Sequence, residues 1–190
     1  YLHKPNNCHF APPTTTTTYA QAGTTTQNLI HGLTVATDCS GMEAPIQALR
    51  NLKIRYRHIF SSDNDPMVQK TIASNFHPEH QYGDITTRDN SAVPSADIYV
   101  AGFPCQPFST AGKQQGFYDS KGRGQIIHYL VDYISLHRPK VFILENVKGF
   151  AQLNNGSCLR RVVRALEAIK DVELKKPRNG HDEPAYEIHH

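Results

Sequence analysis

"LTVATDCSGMEAPIQALRNL", Leu33 to Leu52, changes its hydrophobic period once. Leu33 to Asp38 is a short β-type run that ends on an acid. A turn follows at Ser40-Gly41. "APIQALRNL" then reads as a helix with Pro45 near its first turn, where the missing N–H costs nothing. Working outward, the same alternation continues. "YRHIFSSD" is a second strand and "DPMVQKTIASNF" a second helix. Asp65 is its N-cap, Pro66 its first helical residue, and Val68, Ile72 and Phe76 recur four apart on its buried face. "YGDIT" is a short turn before a third strand, "ADIYVAGF", around Ile98 to Ala101. After a long loop, "QIIHYLVDYISLH" carries Ile127, Leu130, Val131 and Ile134 at helical spacing. "KVFILEN" is apolar at consecutive positions, as expected in the middle of a sheet covered on both faces. A last helix starts near Ser157, with Leu159, Val162, Val163, Leu166 and Ile169 on one face.

Strand and helix alternate throughout. The pattern predicts an α/β domain, a Rossmann-like parallel sheet with helices on both faces. Residues 1–31 are rich in Thr, Pro and Asn without a period, and are expected to form a flexible lead-in to a core over residues 32–190. Hydrophobic residues make up 38% of the 190-residue chain and charged ones 19%, the balance of a globular protein large enough for a sizeable core. No apolar run is long enough to span a membrane, and the opening stretch lacks the apolar centre of a secretion signal. The formal net charge of +3 permits a nucleic-acid partner without demanding one. Cys8, Cys39, Cys105 and Cys158 form no C-x-x-C pair, so an intracellular chain with reduced thiols is expected. "HPEH", His77 to His80, lacks a second ligand pair and reads as a polar loop rather than a metal site.

Ligands of such sheets bind beyond the carboxyl ends of the strands. Asp38 to Gly41, Asp63 with Asn64, Gly102 to Gln106 and Glu145-Asn146 all fall there. Asp63 sits where an acid accepts hydrogen bonds from two ribose hydroxyls; the competing reading is a helix cap. The turn "DCSGMEAP" has one glycine, not G-x-G-x-x-G, so it predicts no pyrophosphate. A ligand without phosphates, such as S-adenosylmethionine, fits better. Asp84 could accept the adenine amine with Ile85 against the ring, although a surface turn also explains "GDI". In "VAGFPCQPFSTAGKQQGF", Val100 to Phe117, Cys105 follows a strand end rather than lying inside the strand. A thiolate there and the carboxyl of Glu145 at the next strand end suit an electron-poor ring: sulfur adds to carbon while the acid protonates a ring nitrogen.

"GFPCQPFS", "LENVKGF", "DSKGRG", "FSSDND" and "GDIT" together resemble the cytosine-C5 DNA methyltransferase family, with order and spacing agreeing from about Leu33 to Ile169. The resemblance implies the S-adenosylmethionine-dependent methyltransferase fold, S-adenosylmethionine as cofactor and DNA as partner, with no metal and no membrane. It implies Cys105 as the nucleophile at C6 of a flipped cytosine and Glu145 as the acid on N3 and the exocyclic amine. Cofactor contacts would come from Ser40, Gly41, Met42, Asp63, Asn64, Asp84, Ile85, Pro104 and Ile126. The stretch from Gln106 to Arg123 resembles a mobile catalytic loop, with Ser109, Lys113 and Arg123 near the DNA backbone and Gln106 beside the flipped base. Such a protein would work in the nucleus of a eukaryote and otherwise in the cytoplasm.

The chain also departs from the family pattern. Its turn, Cys39-Ser40-Gly41-Met42-Glu43-Ala44, replaces an aromatic residue and several glycines, and Asn64 stands where a large residue often follows the ribose acid. Neither a Gln-x-Arg-x-Arg segment nor a target-recognition region is found, and the chain opens on Tyr1. The expectation is a core truncated at its C-terminus, a fragment or incomplete domain. Two alternatives share the fold: a tRNA cytosine-C5 methyltransferase and a non-catalytic fragment. A cysteine hydrolase ranks last, since no histidine follows a strand end near Cys105.

Overall fold

Every strand is parallel to its neighbours, in the order β3-β2-β1-β4-β5. The computed structural model describes residues 32–107, 123–170 and 184–190. Along the chain these form β1 (Leu33–Asp38), α1 (Ala44–Asn51), β2 (Tyr56–Ser62), α2 (Pro66–Asn75), β3 (His80–Tyr82), β4 (Ile98–Gly102), α3 (Ile126–His137), β5 (Val141–Glu145) and α4 (Lys148–Glu167). Single 3-10 turns lie at Ile85–Thr87, Asn90–Ala92 and Arg123–Gln125. The expected flexible lead-in and most of the expected catalytic loop lie outside the described residues.

From β1 through β2 to β3 the connections run one way across the sheet and from β4 to β5 the other, and crossovers between parallel strands are right-handed. Helices α1 and α2 therefore cover one face, and α3 and α4 the opposite one. The core divides accordingly. Ala36, Phe60, Tyr99, Ala101 and Leu144 pack with Ile127, Leu130 and Ile134 of α3 and with Val162 and Leu166 of α4. Val35 and the fully buried Ile46 of α1 and Ile72 of α2 lie outside that cluster. Central β1 is buried continuously from Val35 to Asp38, as a strand covered on both sides requires.

Local chemistry explains the boundaries. Asp65 caps α2, its Oδ1 accepting from the N–H groups of Met67 (2.7 Å) and Val68 (3.4 Å), with Pro66 next. Helix α4 begins at Lys148, before the expected start, and unwinds over Leu153–Gly156. Asn154, Asn155 and Gly156 are left-handed there; a Cβ on Gly156 would stand 3.2 Å from the Ala151 carbonyl. The second half buries Cys158, Val162, Leu166 and then Ile169, leaving Leu159 and Val163 half-buried.

Three further expectations change. His80–Tyr82, in the stretch read as polar loop and turn, is a strand pairing with Phe60–Ser62. In α3 it is Tyr133, not Val131, that joins Ile127, Leu130 and Ile134 in the interior. Strand β5 is the edge of the five-stranded sheet rather than its middle. Val141 and Ile143 point outward, 52% and 44% exposed, while Leu144 is buried. A continuous apolar run records propensity and cannot tell which face a neighbour covers.

Candidate active site

The direction of winding reverses between β1 and β4, the point at which sheets of this kind bind ligands beyond the carboxyl ends of their strands. A buried ion pair lies there. Arg88 donates from Nη1 and Nη2 to the two oxygens of Asp38, the last residue of β1, at 2.8 Å each. Asn90 aligns the guanidinium by accepting from it at 3.0 Å, and is itself held by α3 through the Tyr129 carbonyl and Asp132, each at 2.9 Å. The Tyr99 hydroxyl also donates to Asp38. Burial, then Asp38, pushes the Tyr99 phenol well above its ordinary value, so it stays a donor.

The β1–α1 turn follows Asp38 directly. Cys39, Gly41 and Glu43 all have positive φ, of 50°, 53° and 55°. Gly41 donates its N–H to Asp63 Oδ2 at 3.0 Å, and Asp63 Oδ1 accepts from Asp65 N at 3.0 Å. The Asp63 carboxylate thus stitches the ends of β1 and β2 while half-exposed, with acceptor capacity left on both oxygens. The Ser40 hydroxyl is buried and committed to the fold through Thr37, Ser62 and their backbone. Met42 is 79% exposed and Asn64 is exposed. Asp84 caps the 3-10 turn, its Oδ1 accepting from the Thr86 N–H and hydroxyl at 2.8 Å each, while Ile85 is buried in the core. The Cys39 thiol is pushed up to about 12 by burial, then by Asp38 and Asp63, so it stays protonated near neutrality.

The second half of the edge is built by β4 and β5. Gly102 and Glu145 are register partners, and a Cβ on Gly102 would lie 3.4 Å from Glu145 Oε2. Asn146, fully buried, donates from Nδ2 to the Phe103 carbonyl at 3.0 Å and accepts from Val147 N at 2.9 Å. Phe103 meets Phe150 of α4 edge-on at 5.3 Å. The segment leading into Cys105 is therefore pinned from both sides. Pro104, Cys105 and Glu145 are half-buried, Cys105 as a free thiol, and Gln106 is exposed. Ile126, first residue of α3, packs half-buried against the core, and Arg123 is half-buried in the turn before it. Ser109 and Lys113 lie outside the described residues.

The sequence from residue 37 to 170 matches the model of the C-5 cytosine-specific DNA methylase family. The chain belongs to that family. Among its relatives, type II methyltransferase M.HgiCI of Herpetosiphon aurantiacus is 41% identical over 123 residues, covering 65% of this chain and 28% of the relative. Type II methyltransferase M.HpaII of Haemophilus parainfluenzae is 44% identical over 110 residues, covering 57% and 30%. The chain thus spans under a third of the length of these relatives. The S. pombe Dnmt2 methyltransferase structure superposes with a TM-score of 0.50 at 19% identity, over 71% of this chain and 41% of that one, a likeness of fold.

Within the methylase fold, Arg88 and Asn90 were not singled out from sequence. Asn146 was placed at the strand edge beside Glu145, but its bond to the Phe103 carbonyl was not legible there. Arg88 carried no signal, because its partner Asp38 is 50 residues away.

Proposed function

We propose that the chain is the catalytic part of an S-adenosylmethionine-dependent DNA cytosine-C5 methyltransferase. The observation that carries this reading is the β4–β5 register. Gly102 opposite Glu145, with Asn146 bonded to Phe103, holds the Gly-Phe-Pro-Cys and Glu-Asn segments at one edge. The matching family, C-5 cytosine-specific DNA methylase, favours DNA over RNA.

The residues at this edge fit the cofactor. Asp63 retains acceptor capacity for ribose hydroxyls. Met42 offers exposed apolar surface, and Pro104 and Ile126 are half-buried. Ser40 and Gly41 shape the turn, Asn64 flanks Asp63, and Asp84 and Ile85 close the β3 side. When bound, S-adenosylmethionine supplies an electrophilic methyl group. The chain's own work is on the base. Cys105, as a thiolate that has given its proton to solvent, forms a bond to C6 of a flipped cytosine, and the C5–C6 π pair becomes available at C5 as Glu145 delivers a proton to N3. After methylation a base from solvent takes the C5 proton, the C–H pair re-forms the C5–C6 double bond, Cys105 leaves as thiolate with the S–C6 pair, and N3 returns its proton to Glu145. Gln106, Ser109, Lys113 and Arg123 are assigned to the DNA, the cations to phosphates.

Duplex DNA containing 5-fluorocytosine tests this, since fluorine blocks the final elimination. With S-adenosylmethionine present, the protein is expected to form an adduct that survives denaturation, and Cys105→Ala to form none. Trapping of tRNA but not DNA would move the substrate to RNA; an adduct with Cys105→Ala would remove Cys105 from the chemistry.

A further inference from the structure

Glu43 is fully buried, yet it sits at the N-cap position of α1 in the left-handed region, with φ 55° and ψ 41°, and its side chain makes no capping bond. Its Oε1 instead accepts from Thr37 Oγ1 at 2.7 Å and from Ser61 Oγ, with His58 Nε2 3.6 Å away. Thr37 Oγ1 lies 2.7 Å from Ser40 Oγ, and Ser61 Oγ lies 2.9 Å from His58 Nε2. A carboxylate only accepts, so Thr37 and Ser61 each give it their single proton. Between Ser40 and Thr37, Ser40 is then the donor, sharing its single proton with the Thr37 and Ser62 carbonyls, and His58 Nε2 donates to Ser61. Two polarised arms converge on one carboxylate: Ser40 to Thr37 to Glu43, and His58 to Ser61 to Glu43.

This arrangement is a poor way to gain stability. Glu43 Oε2 and His58 Nδ1 are buried without a hydrogen-bond partner among the described residues. A buried charged network of this kind is often no more stable than an apolar one of the same volume. Two non-glycine residues of the turn, Cys39 and Glu43, also hold strained positive-φ backbone. What the network does is fix the Ser40 hydroxyl, and Ser40 ties the turn to β2 through Ser62 N at 3.0 Å.

We propose that Glu43 is a positioning residue, whose carboxylate, acting through Thr37 and Ser40, holds the Cys39–Met42 turn in the form that receives the cofactor. The proposal rests on the reading that this turn takes S-adenosylmethionine. It assigns a task to a residue at which the turn departs from the glycine-rich pattern expected there.

Two readouts test it: S-adenosylmethionine affinity by calorimetry, and iodoacetamide labelling of Cys39 under native conditions, mapped by mass spectrometry. Glu43→Ala and Thr37→Val are each expected to weaken binding about 10–100-fold, the cost of leaving buried hydrogen-bonding groups unsatisfied, and to make Cys39 label. Glu43→Gln keeps an oxygen acceptor and is expected to stay within about threefold of the parent with Cys39 protected. Leu166→Ala, remote in α4, should lower the melting temperature and leave both readouts unchanged. Should Glu43→Ala not fold, Thr37→Val carries the test alone. A folded Glu43→Ala or Thr37→Val with parental affinity and a protected Cys39 overturns the proposal, as does equal labelling in Leu166→Ala. A parent that binds no S-adenosylmethionine removes the cofactor reading only, and Cys39 labelling still decides whether Glu43 sets the turn.

Discussion

Arg88 and Asp38 form a bidentate pair with the arginine side chain 6% and the aspartate 0% exposed. The guanidinium also lies over the rings of Phe60 and Tyr82, 5.2 and 5.4 Å from their centres. Removing one partner strands a charge that cannot reach water. Arg88→Met is therefore expected to cost about 3–5 kcal/mol in urea unfolding, whereas Arg88→Met with Asp38→Leu should recover most of the loss. The residue scale also separates structure from chemistry. Glu145 is half-buried, and its neighbour Asn146 is the one bonded to the Phe103 carbonyl. Glu145→Gln should leave duplex binding in a mobility-shift assay almost unchanged. Methyl transfer should slow by about 10²–10⁴, the usual loss when a proton-transfer partner goes. An unchanged rate would return Glu145 to a structural role.

Strands make the next scale. On β5 the outward Val141 and Ile143 and the inward Leu144 belong to the same apolar run but face opposite ways. Val141→Thr and Ile143→Thr are expected to change stability by about 0.5 kcal/mol or less. Leu144→Ala should cost about 2–5 kcal/mol. Equal costs would show that something covers the outer face. At the amino ends, Asp97 clips β4 to β1: its Oδ2 accepts from Thr34 N at 2.9 Å and Thr34 Oγ1 at 2.7 Å, and Lys140 reaches its Oδ1 at 2.8 Å. Burial works against the charge, but Lys140 and Thr34 prevail and hold the carboxyl below its usual range. The unfolded chain then binds the proton more tightly than the folded one. The clip's contribution is complete above a pH of about 4, the unfolded value, and is lost as pH falls through the lower folded value. Asp97→Asn should lower stability near neutrality, and the two unfolding curves should converge in acid. A gap that persists undiminished at low pH would show that the charge is not what clips the strands.

At the scale of the molecule, both halves of the proposed site hang on one reversal of winding, with the cofactor turn on β1 and the Cys105 segment on β4, adjacent in the sheet. A ligand that binds only this assembled edge stabilises the whole fold by mass action, by about 2.7 kcal/mol at a hundredfold excess over Kd. Melting followed with and without S-adenosylmethionine should show that gain, and methionine alone should not reproduce it. No gain at saturating concentrations would count against the cofactor assignment.

The chain's local grammar was enough for most of its elements and for placing the proposed site residues at strand ends. Asp65-Pro66 marked a helix start, the alternation of periods implied a parallel sheet, and Asp63, Cys105 and Glu145 could be placed at strand ends because a strand end is a local event. Three things depended on neighbours remote in sequence. His80–Tyr82 is too short and polar to announce a strand, and becomes one only because β2 offers it a free edge. Val141 and Ile143 look like core until the strand order leaves one face of β5 uncovered. Arg88 and Glu43 look like surface charges, yet each is buried by partners that only folding supplies: Asp38 and Asn90 for one, Thr37, Ser61 and His58 for the other. Period and capping are set within a few residues of chain, whereas burial of a charge depends on what the opposite strand brings to meet it.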